Sequence, residues 1–167
     1  MIFQKVYLFN DTNEDIIRFG KPDAGEEKIM KAAKKACCHE FIMALPDEYQ
    51  TVVGEGGSTL SGGEMQRITI ARALFKDAPI IILDDATTSV DPENEHLIQG
   101  AISELTAGKT VIVFVHRLAT IEQADQILVV NDGRIVEYGT HHELIAQGRI
   151  YTRFMSIREK AENWAVC

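Results

Sequence analysis

The chain has 167 residues, enough for one domain with a sizeable core, and its 46% hydrophobic and 25% charged residues are the balance of an ordinary globular protein. Its 17 Lys and Arg against 25 Asp and Glu leave a formal net charge of -8, which excludes a general nucleic-acid binder, since that function needs a basic face for phosphates. The apolar runs Pro79 to Leu83 and Thr110 to Val115 are too short to span a bilayer, the N-terminus lacks signal-peptide order, and three cysteines, two of them adjacent, make no disulfide framework, so a reducing, cytosolic setting is expected.

The first nine residues, with Ile2-Phe3-Gln4-Lys5-Val6, form a β-rich run that reads as the middle of a domain; Gln4 on its own reads as a polar residue at the end of an edge strand. Asn10-Asp11-Thr12 offers caps for a short helix from Glu14 to Phe19. Glu26 to Leu45 then predicts one long helix closed by Pro46, with Ile29, Ala32, Ala33, Ala36, Cys37, Phe41 and Leu45 on its apolar stripe and Lys28, Lys31, Lys34 and Lys35 on a solvated face. Adjacent helical residues point about 100° apart, so Cys37-Cys38-His39 cannot close a tetrahedral metal site; core packing is expected for Cys37 and exposure for His39. Tyr49 to Thr59 is a glycine-rich loop.

Ser61-Gly62-Gly63 starts the next helix, with the serine as N-cap and bare amides beside it, a combination that attracts anions. Met65, Ile68, Ile70, Ala71 and Leu74 predict packing on one side, with Arg67, Arg72 and Lys76 on other faces, and Pro79 as the stop. Ile80 to Leu83 has no polar alternation and predicts a strand buried on both faces of a parallel sheet, with Asp84 and Asp85 at its C-terminal end, the edge where open α/β sheets bind ligands. Asp91-Pro92 caps a helix that Gly108 ends, and Thr110 to Val115 is a second buried strand, completing a βαβ unit.

Gly108-Lys109-Thr110 matches the tail of a phosphate-binding loop, yet the full pattern needs glycine at Ser103, and the triplet leaves a helix for a strand rather than the reverse. His116 stands at the end of the second strand, beside Asp84 and Asp85 if the two strands are parallel; Arg117 to Ala124 is a short helix and Gln126 to Val130 a strand. Asn131-Asp132-Gly133-Arg134 reads as a type I′ hairpin returning through Ile135 to Gly139. Thr140-His141-His142-Glu143 is a capping box with both histidines exposed, and Ile150 to Glu162 a final amphipathic helix.

LSGGE at Leu60–Glu64 resembles the LSGGQ signature of ATP-binding cassette ATPases, and IIILDD followed by ATTSVD resembles their Walker B strand and D-loop. Two motifs about one helix apart make the likeness specific. It covers the chain from Gln4 to Glu159 and is nearest to the nucleotide-binding domain of bacterial exporters that fuse permease and ATPase. The fold it implies is α/β: a partial P-loop NTPase-like, mostly parallel sheet with flanking helices, plus an α-helical signature subdomain at residues 10–76 inserted before a core at 77–160, all of 1–167 being one partial domain.

The resemblance implies ATP and Mg²⁺ as cofactors. It makes Gln4 the Q-loop glutamine at metal and water, Glu55 an X-loop acid touching the permease, and Ser61, Gly62, Gly63 and Glu64 the signature that closes over ATP held by a second domain. Asp84 becomes the Mg²⁺-orienting aspartate, Asp91 part of the D-loop, and His116 the switch histidine at the γ-phosphate. Asp85 stands where the family has a water-polarising glutamate, one methylene longer, so slow hydrolysis is expected; Glu64 in place of glutamine adds negative charge near phosphate. The family's Walker A loop and adenine-stacking aromatic precede the Q-loop, so the chain is expected to start too late to hold them and to bind ATP feebly alone. Implied partners are a transmembrane permease domain, the sole route to membrane contact, and a second nucleotide-binding domain in a head-to-tail dimer, with no nucleic acid. The implied place is the cytoplasmic face of the inner membrane, and the implied role is coupling ATP binding and hydrolysis to export. The alternative is a non-catalytic module donating its signature to an intact partner.

Overall fold

The computed structural model describes residues 7–19, 21, 25–84, 92–114 and 121–164, the backbone alone at 92–94 and 158–164. Two compact units divide the chain, Met1–Phe114 and Val115–Cys167.

In the first unit, Thr12 caps helix α1 (Asn13–Arg18) by accepting from the Asp15 amide at 3.1 Å while its hydroxyl donates to the Asp15 carboxylate at 2.8 Å. The long helix expected over Glu26 to Leu45 is instead two: α2 (Glu26–Lys35) and α3 (His39–Met43). Cys37 sits at φ 54, and the chain closes a Schellman turn there: the Cys38 amide donates to Ala33 O at 2.9 Å and the Cys37 amide to Lys34 O at 3.1 Å. That turn reverses the expected roles. Cys37 is exposed, while Cys38 is fully buried with its thiol donating to Ala33 O at 3.4 Å. Burial pushes the Cys38 thiol up to about 12. His39 is half-buried, its Nδ1 2.9 Å from the Tyr49 hydroxyl, whose own pKa burial raises to about 12.

Helix α4 (Gly62–Lys76) is the centre of this unit. The expectation that it packs on one side fails: Gln66 through Ala71 are all buried, because α1, α2 and the later helix α5 (Pro92–Thr106) surround it. Arg67 is therefore inside rather than on a polar face, its guanidinium 5.2 Å from the Phe41 ring centroid, a cation–π contact that partly replaces lost water. Left-handed Asp77, at φ 51 and ψ 49, ends the helix two residues before Pro79. Its carboxylate holds Lys109 at 2.8 Å, so the lysine of the Gly108-Lys109-Thr110 triplet braces a helix-to-strand turn in which Gly108 has φ 68.

Strand β1 (Ile80–Asp84) runs parallel to β2 (Thr110–Phe114), in register from Ile80 opposite Thr110 to Asp84 opposite Phe114. Neither strand is buried on both faces as expected. Ile81 and Leu83 join the core with Ile98, Ala101 and Leu105 of α5, while Ile80 and Phe114 are each 56% exposed, because the described helices cover one side of a two-stranded sheet.

Among its described residues, the second unit holds a hairpin and helices that follow it. Strands β3 (Ile127–Asn131) and β4 (Arg134–Gly139) are antiparallel, with a bulge at Val129/Val130, and the turn has Asp132 at φ 49 and Gly133 at φ 73, both positive as a type I′ turn requires. Thr140 and Glu143 form the reciprocal cap of α6 (His141–Gln147). His141 is half-buried, not exposed, since its Nδ1 lies 2.8 Å from the Tyr151 hydroxyl. Helix α7 (Ile150–Trp164) places Tyr151 and Met155 against Val129 and Leu144. The strand residue Glu137 is buried beside them and accepts from the first amides of α7, Ile150 at 2.8 Å and Tyr151 at 3.0 Å. Among the described residues no helix is long and apolar enough to cross a membrane.

Candidate functional site

The turn into α4 is built by its own sequence. Ser61 adopts φ -66 and ψ 160, outside the helix, so its side chain can cap. Its Oγ accepts from the Glu64 amide at 3.3 Å, and the Glu64 carboxylate reaches back to accept from the Ser61 amide at 2.8 Å. The expected negative charge of Glu64 is thus drawn onto the serine backbone rather than left free. Among the described residues, the amides of Gly62 and Gly63 have no hydrogen-bond partner, and the Ser61 hydroxyl proton has no acceptor. A helix start with an exposed, unpartnered amide at Gly62, a second unpartnered amide at the buried Gly63 and a free hydroxyl proton, among the described residues, fits an oxyanion.

Asp84 is half-buried at the C-terminal end of β1, and the parallel register puts that end level with the end of β2. One carboxylate of this kind suits Mg²⁺, which keeps most of its ligands as water and phosphate oxygens. No hydrogen bond or ion pair among the described residues joins Asp84 to the Ser61 turn. Gln4, Asp85, Asp91 and His116 lie outside the described residues.

A feature missed in the sequence flanks the glycine-rich loop. Glu55 opens a single 3₁₀ turn, Glu55–Gly57, and accepts from the Tyr7 hydroxyl at 3.3 Å. Tyr7 meets Phe9 edge-on at 5.9 Å between ring centroids, Phe9 meets Phe19 at 5.8 Å, and the three rings are 56%, 53% and 60% exposed. Aromatic rings held together yet facing water mark a contact surface. The signal was present as three aromatics, Tyr7, Phe9 and Phe19, close in sequence, but the chain fold that joins Phe19 to the other two is tertiary. His39 and Cys38 are committed to Tyr49 and Ala33, and no three His, Cys, Asp or Glu side chains converge among the described residues.

A family profile described as ABC transporter matches residues 1–88. The chain is 48% identical over 158 residues to a protein named ATP-dependent lipid A-core flippase from Chromobacterium violaceum, covering 95% of the chain and 27% of that protein. It is 53% identical over 151 residues to the protein of the same name from Saccharophagus degradans, covering 90% of the chain and 26% of that protein. It is 46% identical over 158 residues to a Bacillus subtilis protein named Uncharacterized ABC transporter ATP-binding protein YknU, with 95% and 27% covered. Among solved structures, a bacterial Atm1-family ABC exporter with ATP bound superposes with a TM-score of 0.78 at 39% identity over 94% of the chain and 27% of that exporter. The chain thus spans about a quarter of the length of these relatives.

Proposed function

The chain belongs to the ABC transporter family, and from that premise we propose that it is the signature-bearing part of an exporter's ATP-binding domain, coupling ATP binding and hydrolysis to transport across a membrane. The observation that carries this reading is the Ser61 turn, where the hydroxyl proton and the Gly62 and Gly63 amides have no partner among the described residues at a helix start. In this proposal those three groups donate to the terminal phosphate of an ATP held by a second, head-to-tail domain. Glu64 keeps its carboxylate on the Ser61 amide and so orients the serine.

Asp84 holds Mg²⁺ through water, with Gln4 as a second metal contact; the metal, when bound, neutralises charge on the β- and γ-phosphate oxygens. Asp85 orients and polarises the attacking water, His116 donates to the γ-phosphate, and Asp91 contacts the facing domain. Helical and core subdomains fall at residues 10–76 and 77–160. The exposed rings of Tyr7, Phe9 and Phe19 beside Glu55 support docking of a permease domain on that surface. The reading includes a location at the cytoplasmic face of the inner membrane.

ATP turnover of the transporter that carries these residues tests the reading. Ser61→Ala removes one donor to the transferred phosphate and is expected to lower turnover by about 100-fold or more, as loss of one preorganised donor does. Asp85→Glu brings the carboxylate closer to water and is expected to raise it. Unchanged turnover in Ser61→Ala would refute the role of the turn, and no gain in Asp85→Glu would show that Asp85 is not the limiting group.

A further inference from the structure

We propose that Arg67 is the recognition group of a carboxylate-binding slot between α3 and α4, where an acidic side chain of a partner segment docks. This goes beyond the nucleotide reading and does not depend on it. Arg67 lies near the start of α4 and is only 7% exposed. A guanidinium carries five N–H donors, no acceptor and a permanent charge. Among the described residues, Arg67 makes no hydrogen bond or ion pair, and its Nε–H is buried as well as unpartnered. Its charge meets only the Phe41 ring of α3, 5.2 Å from the guanidinium carbon to the ring centroid. A ring face attracts a cation but offers no lone pair, so the N–H groups stay unsatisfied.

Buried charges in folded proteins are paired, because taking a lone one out of water costs more than packing returns. The neighbours of Arg67 do not supply the missing anion. Cys38 is close enough for the guanidinium to pull its pKa down, yet burial dominates and holds it at about 12, and the thiol is given to Ala33 O. Tyr49, also pushed up to about 12 by burial, is a neutral hydroxyl bonded to His39. Glu40, one residue before Phe41, is exposed and makes no ion pair among the described residues. What the fork of Arg67 fits is a planar carboxylate taken through two parallel N–H bonds. An opening this small admits one such group on a side-chain stem and shuts out a flat anionic surface such as a membrane.

Urea unfolding of the chain in acetate against chloride at equal ionic strength, with the Arg67 Nε–H resonance followed by NMR, tests this. Acetate should raise the unfolding midpoint and move the Nε–H resonance, since a ligand of the folded state stabilises it by mass action. Arg67→Met, uncharged and of similar length, should abolish the acetate response while the midpoint in chloride holds or rises, because the cost of a lone buried charge is gone. Arg67→Lys keeps the charge without the fork and should weaken acetate binding by about ten-fold or more, as loss of a charge-assisted hydrogen bond does. A midpoint and resonance indifferent to acetate, an equal acetate response in Arg67→Met, or stabilisation by phosphate and not by acetate would overturn the slot. An Arg67→Met chain that unfolds at clearly lower urea in chloride would overturn it too, because Arg67 would then be a satisfied part of the core. None of these readouts involves ATP turnover, so their failure is separate from failure of the proposed function.

Discussion

Glu137 is the side chain on which the second unit depends most. Among the described residues that unit's core holds Val129, Leu144, Tyr151 and Met155 with three half-buried isoleucines, and the polar contact of Glu137 adds to this hydrophobic stabilisation in holding α7 against the hairpin. The two carboxylate oxygens of Glu137 take the Ile150 and Tyr151 amides at 2.8 and 3.0 Å, replacing a side-chain cap with a strand residue 13 positions away. Hydrogen bonds to a charged acceptor contribute about 1.5–3 kcal/mol each, and a carboxylate at a helix N-terminus adds a few tenths to about 1 kcal/mol. Some of that is recovered when water reaches the half-buried Ile150 amide. Glu137→Ala should therefore cost about 2–4 kcal/mol, and Glu137→Gln, which keeps one acceptor oxygen, about half as much. Urea unfolding followed by far-UV circular dichroism, with exchange at the Ile150 and Tyr151 amides as the local reading, gives both numbers. A cost below about 0.5 kcal/mol for Glu137→Ala would place it among neutral surface substitutions and refute the argument.

Two further outcomes follow from local geometry. Cys37 occupies the left-handed position of a Schellman turn, where a Cβ is unfavourable, so Cys37→Gly should stabilise the first unit by about 0.5–1 kcal/mol in the same urea assay, and Cys37→Val should destabilise it. Lys109 lowers the Asp77 pKa from its ordinary 3.8, by hydrogen bond first and charge second. A depressed carboxylate stabilises the fold above its unfolded pKa and loses that contribution as pH falls through the folded value, so the effect is present at neutral pH and disappears below pH 3.8. Because Asp77 is largely exposed, the contribution is about 0.2–1 kcal/mol, and 1 M salt should remove most of the difference between wild type and Lys109→Ala.

The sequence was most legible where structure is decided by three or four neighbouring residues. Ser61 as N-cap, Thr140 with Glu143, and Asp132-Gly133 each close a cap or turn through their own side chains or their tolerance of positive φ, and each is found as expected, while the return bond from Glu64 to the Ser61 amide was not foreseen. Legibility failed where tertiary packing overrode a local pattern. Nothing in the Ala- and Lys-rich run from Ala32 to Lys35 signals a helix end, and the break at Cys37 is settled by the burial of Cys38. Arg67 sits at a polar point of the periodicity, yet three helices converge on α4 and enclose it. Glu137 reads as an ordinary polar residue of a hairpin until α7 docks on it.

The candidate site was legible for a different reason, which Gly62 makes explicit. A glycine in a helix costs about 0.5–1 kcal/mol relative to alanine, so it is retained either for a positive φ or for a close approach. Gly62 has neither need within the fold: its φ is not in the left-handed range, and a Cβ built on it would have no atom within 4 Å. Helix α4 would start as well or better with alanine there, since Ser61 and Glu64 already supply the cap. What the missing Cβ leaves open is the face of an amide with no partner among the described residues, at an exposed position. Gly62→Ala should leave the melting temperature unchanged or slightly raised while ATP turnover of the transporter falls by about ten-fold or more, as when a donor is kept from its anion. A variant that is destabilised and fully active would reverse the argument, making Gly62 a requirement of the helix rather than of the phosphate.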